Sequence, residues 1–360
     1  MISPLTKKIM IVSGSFPPMR CGVGDYTFEL TRALTRLGVD VSVLTSSDSV
    51  SANTELQVYP IIKAWDFIGF QKALRFIRAT CPDIVHFQYP TMGYHNSYWP
   101  YLLPLFVKLL GIKVVQTWHE APTRIRYIPS SFAFDNLIFV DSSIPPRILW
   151  YYKIILSLGS APDRIPIGSS IPISYLSDGE RSAIRDALQT GEKRLIVYFG
   201  FCYMEKGVHC LFDTLDPKRD KLILLTELSP SGNAYHRRIQ QLVESKEWGD
   251  NVHVTGHLEG SEVAKLLASA DAIILPFLTG VKERNGSLLA AKSQGTFTVT
   301  TSSSIQGYDE KSNVYYCNPG NYSEIRNALD LYCGYRVPPN TENIPTWESI
   351  AKSHIVTYQK

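Results

Sequence analysis

The chain of 360 residues is 44% hydrophobic and 19% charged, an ordinary globular composition at a length that favours two domains over one. Its 36 Lys/Arg against 33 Asp/Glu give a net charge of only +3, too weak for a nucleic-acid footprint. The balance is uneven: residues 1–170 hold 16 basic and 11 acidic side chains, and residues 171–360 hold 20 and 22. The front half therefore suits anionic substrates or a light contact with an acidic membrane surface, with an uneven solvated surface as the plain alternative.

The six Cys form no CxxC and no Cys/His cluster with metal-ligand spacing, so they read as free thiols of a reducing compartment with no metal site. The opening run, residues 8–13, is a first strand and not a signal peptide. The longest apolar stretch, residues 99–115, is broken by Pro104, Lys108 and Lys113 and falls short of a membrane span. A cytoplasmic protein, with the inner face of the membrane as its other place of work, is the expectation.

In chain order, the first strand leads into a loop with Pro17, Pro18, Gly22 and Gly24. Phe28, Leu30, Ala33, Leu34 and Leu37 then recur at helical spacing, and Gly38 stops that helix. A second strand at 39–45 completes a βαβ unit. Apolar runs at 84–87, 112–117 and 137–140 read as buried parallel strands, with helices at 67–77 and 101–110 between them. Residues 163–170 close this half, and residues 169–178 read as a linker. The rhythm restarts with strands at 195–199, 222–226, 252–255, 272–275, 297–300 and 314–316. Helices are expected near Val208, at 261–269 and at 287–293, and a loop at 228–236. A last helix spans 347–358; it caps the second domain or crosses back to the first. The fold class is α/β: two Rossmann-like domains, residues 1–170 and 171–342, facing each other across a cleft.

Five segments carry chemistry. The loop holding Gly22 and Gly24 lets a ligand approach the backbone before a helix start. It lacks the GxGxxG and Walker A patterns, and a plain strand–helix turn is the alternative. His86 and Gln88 end one predicted strand, and His119 and Glu120 follow another, at the edge where open α/β sheets bind ligands. A histidine there can position a hydroxyl or accept its proton, although structural histidines are common. Gly200 to Gly207 includes Lys206, a point charge for phosphate or a surface lysine near a cap. From Leu275 to Leu289 a strand runs into Lys282, Glu283, Arg284 and Asn285, and a helix starts at Gly286 or Ser287. A cation, free N–H groups and the helix dipole converge there, as a diphosphate requires. Residues 301–304 are expected on the same rim. Trp65, Phe67, Phe70 and Tyr94 form either an apolar acceptor patch or core.

The order of these motifs resembles the GT-B glycosyltransferases, specifically the retaining family 4. SGSFPPMRCGVGDYTFEL, DIVHFQYP, TWHE, RIPIGSS, FGFCYMEKGV, VHVTGHLEG, SADAIILPF and NGSLLAAKSQGTFTVT each stand where that family has a counterpart. The resemblance implies a nucleoside diphosphate sugar bound mainly by the second domain, an acceptor against the first, and transfer with retention to a hydroxyl of a glycan or lipid-linked acceptor in polysaccharide biosynthesis. By resemblance, Gly22, Gly24, Gly200 and Lys206 would face the diphosphate. Gly256, His257 and Leu258 would meet the base, and Glu283, Arg284, Asn285, Gly286, Ser287 and Leu288 would surround sugar, phosphate and ribose. His119, with Lys206, Glu283 and Arg284, would be catalytic; His86, Gln88, Tyr94, His119 and Glu120 would stand on the acceptor side. No metal or other cofactor is required. Residues 343–360 would cross back to the first domain as a helix.

The chain departs from the pattern. Phe201 stands where the family has an Arg, and Lys282 and Ala290 stand where it has paired glutamates. Arg284 is the candidate replacement cation. A non-catalytic nucleotide- or glycan-binding protein supporting a partner transferase is the competing reading.

Overall fold

The structure, a computed structural model, describes residues 6–49, 55–120, 124–141, 161–339 and 344–360. It divides into two units, Met1–Gly168 with Pro345–Lys360, and Ser169–Ile344. The domain boundary expected at 342/343 falls outside the described residues.

The first unit runs β1 (Ile9–Val12), α1 (Gly22–Arg36), β2 (Val41–Ser46), β3 (Gln57–Ile62), α2 (Phe67–Thr80), β4 (Ile84–Tyr89), α3 (Trp99–Leu109), β5 (Lys113–Trp118), β6 (Asn136–Phe139) and β7 (Asp163–Arg164). The strands lie in the order β3-β2-β1-β4-β5-β6-β7, all parallel. Because side chains alternate along a strand, β1 feeds two cores. Ile9 and Ile11 pack with Leu30 and Leu34 of α1, whereas Met10 and Val12 pack with Phe70 and Ala73 of α2 and Leu103 of α3. Both faces are covered, so the strands read as continuous apolar runs and not as alternation.

The second unit runs α4 (Asp178–Ala187), β8 (Arg194–Phe199), α5 (Cys210–Thr214), β9 (Asp220–Leu225), α6 (Ala234–Val243), β10 (Val252–Val254), α7 (Gly260–Ser269), β11 (Ala272–Leu275), α8 (Gly286–Ser293), β12 (Thr298–Thr301), β13 (Gly307–Asp309), β14 (Val314–Cys317) and α9 (Tyr322–Tyr332). Its order is β10-β9-β8-β11-β12-β14-β13, with β13 antiparallel to β14. The last helix, α10 (Trp347–Gln359), belongs to the first unit. Its Ile350, Ala351, Ile355 and Tyr358 complete the core under α1.

Several local expectations change. The linker ends at Ser177, whose side chain accepts from the Glu180 N–H while Glu180 bonds back to the Ser177 N–H, a capping box that starts α4. The loop expected over 228–236 stops at Asn233, whose Oδ1 accepts from the Tyr235 and His236 N–H groups and caps α6. The helix expected near Val208 begins at Cys210 as α5, after a 3₁₀ turn over Met204–Lys206. Among the described residues no helix is long and apolar enough to cross a membrane.

Candidate active site

In the second unit, the ends of β8 and β11 carry the charged residues. After β8 the chain turns at Gly200 (φ 141°), where a Cβ would lie 3.7 Å from the Ser287 Cβ. This loop therefore touches the first turn of α8. The Tyr198 hydroxyl donates to the Phe201 carbonyl at 2.8 Å, and His236 Nε2 contacts the Cys202 carbonyl at 2.9 Å. Phe201 stacks on Tyr203 with ring centroids 5.6 Å apart. At Gly207 (φ 69°) a Cβ would sit 2.1 Å from the Pro276 carbonyl, so only glycine lets the two loops close up. The Leu278 N–H donates to the Glu205 carbonyl at 3.0 Å. These contacts bring Lys206, half-buried with Nζ 4.7 Å from the Phe277 ring centroid, beside the loop that carries Arg284. Burial first, then the Arg284 charge, pulls the Lys206 ammonium down to about 8, with Glu205 opposing and Lys282 adding.

Helix α8 has no side-chain cap. Asn285, at the cap position, turns its Oδ1 back to the Lys282 N–H at 2.6 Å. The first N–H groups of α8 thus point outward without an intrahelical acceptor. Arg284, Asn285, Gly286 and Ser287 are half-buried, Leu288 is buried, and Glu283 is exposed on the loop. Glycine at 280 allows a close approach to the Ser303 backbone, and the Val281 N–H donates to the Thr301 carbonyl at 2.7 Å. So the segment after β12 buttresses the loop. Gly256 has φ 72°, His257 is exposed, and Leu258 rests on the core after β10. Ala290 is fully buried among apolar side chains. The result is an edge with two mutually repelling cations and an uncapped helix start, which favours a multiply charged anion.

The first unit builds a different edge. His119 follows β5, is 7% exposed, and contacts the Gln88 Oε1 through Nε2 at 2.8 Å. The Gln88 amide nitrogen stands 3.3 Å from His86 Nε2, and His86 Nδ1 stands 2.7 Å from the Tyr358 hydroxyl of α10. With the Gln88 amide oxygen towards His119, His119 Nε2–H donates to it; His86 Nε2, 2.7 Å from the Thr117 hydroxyl and 3.3 Å from the Gln88 amide nitrogen, accepts, which leaves the His86 Nδ1–H for Tyr358. His86 and Gln88 are both fully buried; they stand behind His119 and not at the surface. Burial, with His354 and His119 nearby, holds His86 well below the usual histidine range, and burial takes His354 down to about 4. The Tyr26 ring meets His119 edge-on at 4.7 Å, and its hydroxyl contacts His354 Nε2 at 3.3 Å. Gly24, two residues before Tyr26, is buried, and a Cβ there would lie 3.1 Å from the Ser15 carbonyl. Gly22 and Glu120 are exposed.

Trp65, Phe70 and Tyr94 are core, while Phe67 stays 48% exposed. Trp65 and Tyr94 also form the floor of a pocket of about 430 Å³ with Ser46, Lys63, Asp66 and Tyr98 among its walls. It opens beyond the ends of β2 and β3, beside the point where the chain order reverses between β1 and β4, the usual ligand position of such sheets. Sequence reasoning missed two groups. Asp25, in the first turn of α1, is pushed up to about 6 by burial, against the Arg20 charge. His236 ties the loop after β9 to the loop after β8, accepting from the Ser229 N–H at 2.8 Å. Asp25 directly follows a glycine at a predicted helix start, the one signal that could have found it; His236 had none.

Residues 21–151 match the family model described as Glycosyltransferase Family 4, and residues 193–332 match Glycosyl transferases group 1. The chain is a glycosyltransferase of the GT-B superfamily. Solved structures with the same fold include the catalytic domain of starch synthase IV from Arabidopsis thaliana bound to ADP and acarbose (TM-score 0.68, 11% identity, 98% of each chain). Sucrose-phosphate synthase from Thermosynechococcus elongatus is similar at TM-score 0.67 and 16% identity, covering 98% of this chain and 94% of that one. HepE from Anabaena, in complex with UDP, is similar at TM-score 0.66 and 15% identity, covering 98% and 95%. No curated protein matches the sequence significantly. In this GT-B glycosyltransferase, the paired cations sit within the segment matched by the group 1 model, and His119 and its hydrogen-bonded chain begin in the segment matched by the family 4 model.

Proposed function

We propose that this enzyme moves a sugar from a nucleoside diphosphate sugar to a hydroxyl of a glycan or lipid-linked acceptor, with retention at the anomeric carbon, in polysaccharide biosynthesis. The observation that carries the reading is the juxtaposition of Lys206 and Arg284 at the uncapped start of α8. The Arg284 charge that helps hold the Lys206 ammonium down is offset when a diphosphate binds. As the bond from the anomeric carbon to the phosphate oxygen breaks, negative charge grows on the diphosphate, and Lys206, Arg284 and the α8 N–H groups stabilise it. The acceptor oxygen forms the new bond on the face the diphosphate leaves, and the departing phosphate oxygen takes the acceptor proton. These groups supply the positive charge, so the reaction is proposed to need no metal.

His119 is assigned to orienting a hydroxyl, because Gln88 fixes the direction of its Nε2–H. The first unit's pocket, with aromatic walls and the Lys63 and Asp66 side chains, supports an acceptor there. The six cysteines are all free, which supports a reducing compartment such as the cytoplasm. UDP and ADP are the nucleotides named in the complexes of two similar structures, and they are the first donors to try. The test is a panel of nucleotide sugars assayed for diphosphate release and for the anomeric configuration of the product by NMR. Release that needs Lys206 and His119, survives a chelator and gives a retained anomer supports the reading; an inverted anomer or abolition by the chelator refutes the corresponding part.

A further inference from the structure

The net positive charge of the front half has one source. Between Phe67 and Phe132 there are seven Lys/Arg and two Asp/Glu, while the rest of residues 1–170 holds nine of each. The same stretch contains nine of the sixteen exposed large hydrophobics among the described residues. Neither fact is expected of a face that only meets water.

The exposed groups share a surface because their elements pack side by side. Helix α2 packs on α3, and α3 packs on the 3₁₀ turn Pro129–Phe132, which in turn meets the 3₁₀ turn Ile125–Tyr127. Phe67 of α2 meets Trp99 of α3 at 4.8 Å, and Phe70 meets Phe106 at 5.1 Å. Out of this aromatic seam project Ile68 at 72% exposure, Leu109 at 81%, Ile125 at 76% and Phe132 at 64%. Trp99, Leu102, Phe106 and Leu109 recur at helical spacing, so α3 turns one apolar stripe outward. On α2 the same spacing sets Lys72 and Arg75 behind Ile68. Among the described residues, neither cation has an acidic partner. Arg124, also exposed, directly precedes Ile125. Lys108, one of the seven, is not assigned to this surface because it pairs with Asp135 at 2.8 Å.

We propose that this face of the first unit seats on an anionic lipid bilayer. Ile68, Leu109, Ile125 and Phe132 enter the headgroup–acyl boundary, while Lys72, Arg75 and Arg124 meet the lipid phosphates. Apolar tips alone would equally suit a protein partner. The surrounding cations, with acidic residues nearly absent, select an anionic surface that accepts scattered charge without a matched geometry. The inference does not rest on the proposed reaction. It would place a lipid-linked acceptor and the enzyme on the same surface, but a soluble acceptor would leave it intact.

Sedimentation of the full chain with vesicles tests it. Binding is expected to vesicles of mixed phosphatidylglycerol and phosphatidylcholine, to be weak to phosphatidylcholine alone, and to fall as salt rises from about 50 to about 500 mM. Lys72→Glu with Arg75→Glu should weaken binding at least about 5-fold per charge, and Leu109→Ser with Ile125→Ser should weaken it further. Leu331→Ser, an exposed leucine of the second unit, should change nothing. All five positions are exposed, and circular dichroism checks that each variant is folded. No binding to anionic vesicles, or binding indifferent to both double variants, overturns the proposal. So does concentration-dependent self-association abolished by the same variants without vesicle binding. Diphosphate release with a water-soluble acceptor is measured separately, so loss of docking and loss of the catalytic reading are told apart.

Discussion

At the strand ends of the second unit, two cations and an uncapped helix stand close together, held by backbone contacts between loops. At the strand ends of the first unit, His119, Gln88, His86 and Tyr358 form a buried chain whose histidine at 86 is held neutral. One edge is built to meet charge that develops elsewhere. The other holds His86 neutral and fixes directions: the tautomer of His119 is set by the Gln88 amide, which is itself tied through His86 to the last helix. Under the proposed reaction, these two versions of one architecture divide electrostatic work from orienting work, and each half should fail in its own way when cut.

The largest expected effect falls on the charged edge. Arg284→Ala and Lys206→Ala should each lower kcat by about 10²–10³, the usual value of one preorganised group at a developing oxyanion. The double variant should lose less than the product, because both cations act on the same developing charge. Steady-state kinetics with the active donor checks this. An Arg284→Ala enzyme with normal turnover and normal donor affinity would remove the second unit from its assigned role.

Next comes the neutral edge. The pKa of His354 is about 4 in the fold, below the ordinary 6.5 of the unfolded chain. The sign follows: stability is complete above about 6.5, where neither state is protonated, and drains as pH falls towards 4 because the unfolded state gains protons first. That shift corresponds to about 3 kcal/mol. His86 is displaced in the same direction and adds to the loss. Urea melts at several pH values should show the slope, and His354→Asn should flatten it even though it lowers stability throughout. An unchanged slope would mean that the network is not neutral.

The charged edge has its own pH signature with the opposite sense. Lys206 loses its proton near 8 in the empty site, so diphosphate affinity should fall about tenfold per unit above that pH. Calorimetric titration of UDP or ADP gives the curve, and Lys206→Arg should extend the plateau. On the other side, Gln88→Leu removes the acceptor for the His119 Nε2–H and should cost about tenfold in kcat. Nucleotide affinity should stay unchanged, because no second-unit group is touched. A matching loss of nucleotide affinity would argue for a merely structural defect.

How far the sequence revealed this depends on the element. Buried parallel strands such as Ile84–Tyr89 and Ala272–Leu275 were legible because both faces are covered and the apolar run is continuous. Strand β3 was not, because Pro60 sits in an edge strand whose burial is incomplete. Helix α4 buries no residue completely and is polar overall, so it carries no apolar run to announce it, although its capping box was written in the chain as Ser177 and Glu180. The charged edge was legible because helix starts, glycines and cations lie within short segments. The chain from His119 to Tyr358 was not. It joins side chains 239 positions apart, and no local pattern announces that β4 points its histidine at the last helix.

The smallest expected effect bears on the departure that separates this chain from the family it resembles. Phe201 follows the φ 141° glycine and stacks on Tyr203 beside the cations. Phe201→Arg would place a third positive charge near Lys206 and Arg284. A surface charge of this kind contributes about 0.3–1 kcal/mol, so donor affinity should improve only about 2- to 5-fold at neutral pH. The same charge should push the Lys206 ammonium further down, and the gain should shrink as pH approaches 8. If the variant instead raises affinity a hundredfold and holds it at high pH, the cations of the wild-type edge are not near one another. The contrast between a charged and a neutral half would then rest on Arg284 alone.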